Sequence, residues 1–375
     1  MSIPFVDLKS QYRRLQTSIN ARIGRVLEHG AYVMGPEIGE LEARLSEFCG
    51  ARHAIACSSG TDALLLGLMA YDIGPGDAVF TTPFTFFATA EAIALLGATP
   101  VFVDIDRRTF NIDPDRLEEA IDRVRQDGRL TVRGILPVNL FGLAPDYDRI
   151  NRIAASSGLF VLEDAAQGFG GSYKGRDAGS LGDVSTTSFF PAKPLGCYGD
   201  GGAVFTSDDS LAEKIISLRI HGMGADKYDN VRIGINARMD SIQAAVLLSK
   251  LEIFPDEIRQ RQRLAEQYDK ALEGLVETPY IPEGYTSIWA QYSVLSDHRE
   301  IIIEALAEHG IPVAVYYRTP CHLSAAFAYL GYEPGDLPVS EATANRIFSL
   351  PIHPYLESGL PERIASILRT AAAGT

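Results

Sequence analysis

Short apolar runs alternate with longer helix-like stretches through the first 220 or so residues, and this alternation leaves few folds open. "HAIAC" (53–57) reads as a strand, and "SSGTDALLLGLMA" (58–70) as a helix opened by small capping residues. "DAVFTTPFTFFATAEAIALLG" (77–97) reads strand, turn, helix. "TPVFVDID" (99–106), "RGILPVNLFG" (133–142), "LFVLEDAAQ" (159–167) and "GGAVFTSD" (201–208) read as further strands, with helices at 145–157 and 211–222. The strands are near-continuous apolar runs rather than alternating ones. Such runs suit a mostly parallel sheet with helices on both faces. Upstream, Ile19, Ile23, Val26 and Leu27 share one face of a helix over 11–29.

The pattern changes after residue 238. Residues 239–275 read as a long helical stretch, broken near Pro255. "WAQYSVLS" (289–296) then reads as a strand, 298–309 as a helix and "IPVAVYYR" (311–318) as a strand. We therefore expect a large α/β domain over 1–250 and a small C-terminal α+β domain over 251–375.

The balance of 34 basic and 48 acidic residues, net −14, disfavours a nucleic-acid groove or an anionic membrane surface as the main partner. No apolar run approaches 18 residues, and "MSIPFVDLKSQYRR" lacks the pattern of a signal peptide. The four cysteines are widely spaced and form no C-x-x-C pair; the seven histidines form no H-E-x-x-H. A cytoplasmic protein with free thiols and no metal is expected.

"SFFPAKPLGCYGDGG" (188–202) concentrates the chemistry. Pro191 and Pro194 stiffen the chain on both sides of Lys193, and Phe189 and Phe190 precede it. Apolar surroundings push a lysine toward its neutral amine, which attacks carbonyl carbon. The glycines at 196, 199, 201 and 202 let backbone pass close to a bulky ligand. A carbonyl-binding lysine points to pyridoxal phosphate, whose other needs are then identifiable. Its ring nitrogen needs an acid. Asp164 ends an apolar strand, where α/β sheets hold their ligands, although an aspartate there also serves to cap a following helix. Glu163 points to the other side of that strand. The phosphate needs a cup, and Gly60 and Thr61 open a helix after a strand. Ser-Gly-Thr also caps many helices that bind nothing. Ser188 adds a hydroxyl. For a ring cover, "PFTFFATAEA" offers Phe84, Phe86 and Phe87, residues that more often fill cores. No Walker lysine motif is present, and "GFGGSY" (168–173) lacks the last glycine of a dinucleotide fingerprint.

Together with "PFVDLKSQY", "GAYVMGPEIGELE", "GATPVFVDID", "EDAAQGFG", "GINARMDSIQAAVL" and "SLPIHPYL", these segments resemble the DegT/DnrJ/StrS sugar aminotransferases in order and spacing over nearly the whole chain. The resemblance implies the aspartate aminotransferase (fold type I) architecture, with a seven-stranded, mostly parallel sheet in the large domain. It implies that Lys193 binds the cofactor covalently and then moves the transferred proton. Asp164 would pair with the ring nitrogen and Gln167 would bond the phenolic oxygen. Gly60, Thr61 and Ser188 would hold the phosphate, and Phe86 would stack on the ring. Asn236 and Arg238 would reach the neighbouring subunit's site, making a homodimer with shared active sites. Tyr317, Arg318 and His322 would meet substrate. The implied reaction takes an amino group from L-glutamate, leaving 2-oxoglutarate, to a nucleotide-linked ketosugar. Within the family the Lys193 segment is most similar to enzymes acting on UDP-2-acetamido-2-deoxy-3-oxo-glucuronate, which serve bacterial O-antigen synthesis; relatives use dTDP- or UDP-linked 3-keto or 4-keto 6-deoxysugars. "VYYRTPCHL" departs from the family's Tyr-Tyr-Pro-x-Pro-Leu-His at Arg318 and Cys321, and Asp200 stands where many members have Glu. A non-catalytic regulator that has lost the lysine, or a dehydratase with histidine in its place, is disfavoured by Lys193 itself.

Overall fold

The computed structural model describes residues 3–226 and 228–373. Its central sheet has seven strands: β1 (His53–Cys57), β2 (Asp77–Thr81), β3 (Thr99–Phe102), β4 (Thr131–Leu136), β5 (Phe160–Asp164), β6 (Val184–Ser188) and β7 (Gly202–Thr206). Their order is β1-β7-β6-β5-β4-β2-β3. β7 is antiparallel to both its neighbours; every other pairing is parallel, so six strands run one way. Side chains alternate between two apolar layers. On one face Ile55, Val79, Leu162 and Val204 pack under α3 (Gly60–Ala70), α4 (Ala88–Leu95) and α7 (Asp209–Arg219). On the other, Ala78, Phe80 and Val161 pack under α5 (Pro114–Asp127) and α6 (Tyr147–Ser157). There too Ala54, Ala56 and Phe205 pack under α2 (Pro36–Cys49) and the first half of α8 (Ser241–Leu272). Burial on both faces explains why the strands read as unbroken apolar runs.

The helix ends follow the local chemistry of the sequence. Asp113, Asp146 and Asp208 accept amide hydrogens at the starts of α5, α6 and α7. α1 (Leu8–His29), α2, α5 and α6 each end on a glycine with positive φ. α1 lies on α8 through Leu15, Ile19 and Val246.

Two expectations fail. The helix does not break at Pro255: α8 runs unbroken from Ser241 to Leu272. The proline costs about 3 kcal/mol, but both flanks are anchored. Leu247, Leu248, Leu251 and Phe254 sit in the core under β1 and β7, and Leu264, Ala265, Tyr268 and Leu272 in the C-terminal core. Residue 250, the boundary suggested by the sequence pattern, thus lies inside one helix. Residues 311–318 are not a strand either. Pro312 has no amide to give, and only Ala314 pairs, with Ser349. Beyond it the chain crosses to the large sheet, where the Cys321 amide donates to the Pro83 carbonyl at 2.8 Å. The C-terminal region instead builds its two-stranded antiparallel sheet from β8 (Tyr292–Leu295) and β9 (Ile347–Leu350). No helix among the described residues is long and apolar enough to cross a membrane.

Candidate active site

The parallel strands deliver their carboxyl ends to one edge, and the residues singled out from the sequence collect there. Register pairs Cys57 with Gly202 and Gly202 with Ser188, so the end of β1, the start of β7 and the end of β6 form one row. α3 starts just beyond that row. Ser59 caps it by accepting the Asp62 amide at 3.0 Å. The amides of Gly60 and Thr61 find no acceptor among the described residues. Two unclaimed amides at a helix start, with its dipole behind them, form a site for an anion such as phosphate. The fit is close: a Cβ on Gly60 would lie 2.6 Å from the Ser188 Cβ, and one on Gly202 would lie 2.3 Å from the Ser59 carbonyl oxygen. Gly60→Ala is therefore expected to push α3 off Ser188, costing about 1–3 kcal/mol of stability by overpacking and weakening cofactor binding. Chemical denaturation and a fluorimetric cofactor titration measure both effects; wild-type values in both would mean that the contact is loose.

Asp164, at the end of β5, is only 4% exposed. Its Oδ2 accepts from Thr89 Oγ1 at 2.8 Å and its Oδ1 from the Ala166 amide at 3.1 Å. No helix follows, so the capping role allowed by the sequence reduces to a turn. Burial raises the carboxyl above its ordinary range, opposed by the Ala166 and Thr89 hydrogen bonds and the charge of Lys193. Glu163 faces the opposite layer, where Ser185, Asn139 and the Gly179 and Leu181 amides satisfy it. The two neighbouring acids thus divide into one open to the sheet edge and one locked in the core.

Lys193 is half-buried in a turn closed by its own amide on Phe190 O at 2.8 Å and by the Cys197 amide on Phe189 O at 2.8 Å. Gly196 permits the turn: a Cβ there would lie 2.6 Å from the carbonyl oxygens of both Phe190 and Pro191. Beneath it the buried Lys250 donates to the Gly196 carbonyl at 2.5 Å. Desolvation lowers the Lys250 ammonium to about 8. Desolvation also lowers the Lys193 pKa, and the carboxylate of Asp164 partly opposes this. The Lys193 side chain makes no hydrogen bond or ion pair with the described residues, so its amine is available to a ligand.

Gln167 is buried, with Oε1 on the Phe141 amide at 2.9 Å and Nε2 on the Tyr317 hydroxyl at 3.1 Å. Of the three phenylalanines, Phe84 is fully buried and Phe87 half-buried, while Phe86 is 58% exposed. Phe86 belongs to the segment whose Thr89 bonds Asp164, and an exposed aromatic ring on it suits a flat ligand. Lys193, Asp164, Gln167, Ser188, Gly60, Thr61, Phe86 and Tyr317 thus belong to one edge of the sheet, and their chemistry fits pyridoxal phosphate. The remaining candidates make no hydrogen bond to these residues, although the Ala237 carbonyl, between Asn236 and Arg238, accepts the Ser58 amide at 3.1 Å. Asn236 and Arg238 bond each other at 3.0 Å near the surface. Arg318 is exposed, 3.7 Å from Glu300. His322 is buried, bonded to Glu341 at 3.2 Å between Phe102 and Tyr332. The sequence pattern did not single out Thr85, Thr89 or Lys250. The signal for the threonines was a pair of hydroxyls four residues apart in "TFFAT", masked by the aromatics between them.

The model of the DegT/DnrJ/EryC1/StrS aminotransferase family matches residues 13–369. The chain belongs to this family. A UDP-2-acetamido-2-deoxy-3-oxo-D-glucuronate aminotransferase of Pseudomonas aeruginosa is 48% identical over 98% of this chain and 99% of its own. The crystal structure of a DegT/DnrJ/EryC1/StrS aminotransferase from Brucella abortus is 49% identical. It superposes with a TM-score of 0.96 over 98% of this chain and 99% of that one. A sugar aminotransferase from Streptococcus pneumoniae, solved in its PLP form, is 27% identical with a TM-score of 0.89, covering 100% of this chain and 99% of that one. The family match over the whole sheet and both cores makes the fold that of the aminotransferases. The seven-stranded, mostly parallel sheet expected from the resemblance is present.

Proposed function

We propose that the chain moves an amino group from L-glutamate to C3 of UDP-2-acetamido-2-deoxy-3-oxo-glucuronate, in the cytoplasm, for a bacterial surface polysaccharide. The carrying observation is an unpartnered, desolvated Lys193 amine on the same sheet edge as the buried Asp164 carboxylate, in a chain 48% identical to an enzyme of that name. Pyridoxal phosphate is the cofactor, and when bound it supplies an aldehyde that takes up the amino group and a ring that withdraws electrons.

Each residue then has one task. The Gly60 and Thr61 amides and the Ser188 hydroxyl hold the phosphate. Asp164 holds a proton on the ring nitrogen, Gln167 donates toward the ring's phenolic oxygen, and Phe86 covers one face. Lys193 Nζ, its pKa lowered by desolvation, takes the proton from Cα of the donor and returns it. Tyr317, fixed by Gln167, walls the sugar side. The planar charge of Arg238 suits the uronate carboxylate, with Arg318 as second candidate.

Asn236 and Arg238 serve the partner's site in a homodimer. The support is their position on a surface segment beside the strongly exposed Val231 and Ile233, an apolar face suited to burial against a second copy. Lys193→Ala chains and Asn236→Ala/Arg238→Ala chains, each inactive alone, are expected to regain activity on mixing, because one composite site per heterodimer is intact. Proven heterodimers without recovery would refute the shared site.

The substrate is tested with protein loaded with pyridoxamine phosphate and mixed with single ketosugars. Fast return of the pyridoxal spectrum is expected with the UDP-linked 3-oxo-uronate, and slow return with its 6-hydroxymethyl analogue and with dTDP-linked 6-deoxy ketosugars. The reverse ranking would move the enzyme to the deoxysugar branch.

A further inference from the structure

Two buried threonines, 3% and 1% exposed, stand in series behind Asp164. Thr89 Oγ1 lies 2.8 Å from Asp164 Oδ2, and Thr85 Oγ1 lies 3.0 Å from Thr89 Oγ1. Proton count fixes the direction. A hydroxyl has one proton, and an ionised carboxylate only accepts. Thr89 must therefore spend its proton on Asp164, and Thr85 must then donate to Thr89. Both hydroxyls thus point their dipoles toward the carboxylate, and each bond polarises the next. The chain is itself held from the C-terminal region: the Cys321 thiol donates to the Thr85 carbonyl at 3.7 Å, two residues from the bond between the Cys321 amide and Pro83.

We infer that the Thr85–Thr89 pair is a positioning device that keeps Asp164 ionised and aimed, so that the proton of the cofactor's ring nitrogen stays on nitrogen. The inference rests on the reading of Asp164 as partner of that nitrogen. A carboxylate at this depth is costly unless donors compensate it. Three groups of the chain do so: the Ala166 amide, the Thr89 hydroxyl and the charge of Lys193. The third is not constant, since the charge is lost whenever the Lys193 amine is neutral. The Ala166 amide is fixed backbone. The threonine hydroxyls are the compensation that the side chains supply permanently. Packing alone does not require them, because valine has the same shape and would fill the same space.

The test uses holoenzyme reconstituted with pyridoxal phosphate labelled with 15N in the ring, and reads the nitrogen's chemical shift. Wild type is expected at the cationic pyridinium position. Thr89→Val should move the shift toward neutral pyridine and lower kcat roughly tenfold to a hundredfold, the scale of one hydrogen bond to a charged group. Thr89→Ser should restore both, and Thr85→Val should move the shift in the same direction by less. Thr89→Ala, which also lacks the hydroxyl, must shift as Thr89→Val does, so a folding defect in one variant leaves the other to decide. Asp164→Asn separates the two claims. If it moves the shift and the two hydroxyl-free Thr89 variants do not, the threonines only pack and the inference is overturned. If Asp164→Asn leaves the shift at the wild-type position, the reading of Asp164 fails and takes the inference with it.

Discussion

Lys193→Ala is expected to lose amino transfer by roughly five to six orders of magnitude, the scale found when a covalent catalytic residue is removed. Nothing nearby replaces it. The buried Lys250 spends its ammonium on the Gly196 carbonyl under the same turn. Among the described residues the Lys193 amine has no hydrogen-bond or ion-pair partner, and the desolvation that lowers its pKa suits it, on the proposed reading, to bind a carbonyl and to carry a proton. The variant should still fold and still bind the cofactor's phosphate, because the α3 amides, Ser188 and Gly202 are untouched. Circular dichroism and equilibrium dialysis check those two points, and a coupled glutamate assay checks the loss. Partial rescue by a small added amine is also expected, since such an amine supplies the missing nitrogen. Residual activity within a hundredfold of wild type, without added amine, would require another base.

Asp164→Asn should lower kcat by about 10³, corresponding to roughly 4 kcal/mol of transition-state stabilisation. The amide keeps the shape, but its single oxygen can accept only one of the two hydrogen bonds that Asp164 takes from Thr89 and Ala166, so circular dichroism is used to check that the fold is intact. What it loses is the negative charge that, on the proposed reading, would hold a proton on the ring nitrogen. KM for glutamate should change much less than kcat, because the defect lies in the reacting bond and not in donor binding. Activity within a few-fold of wild type would reduce Asp164 to a turn former, the role its contact with the Ala166 amide already gives it.

The sheet, and the grouping of the candidate site residues at one of its edges, were legible because each rests on local signals. Apolar runs of four to six residues marked the strands, and the residue after each run fell at the ligand-binding edge by topology alone. Proline-flanked Lys193 and strand-ending Asp164 needed no tertiary knowledge. The C-terminal region was harder, since long-range contacts override local rules there. Pro255 reads as a helix end, yet two cores clamp the residues on either side of it. "IPVAVYYR" has strand composition, but Tyr317 and Cys321 draw the chain across to Gln167 and Pro83, leaving one bridge at Ala314. His322 looked like a ligand and lies packed against Glu341. The bond between the threonine pair and Asp164 was not legible for a related reason. A hydroxyl's partner is set by which strand end lies opposite it, and no spacing within "TFFAT" encodes that.

Amino transfer at the edge where Lys193 lies with Asp164 is tested most directly by covalent mapping. The protein is loaded with pyridoxal phosphate, reduced with borohydride to make the lysine–cofactor link permanent, digested and sequenced by mass spectrometry. The prediction is one pyridoxyl group per chain, on Lys193, with loss of the visible absorption band in step with loss of activity. A stoichiometric label on Lys250 or any other lysine, or full activity after reduction, would contradict it.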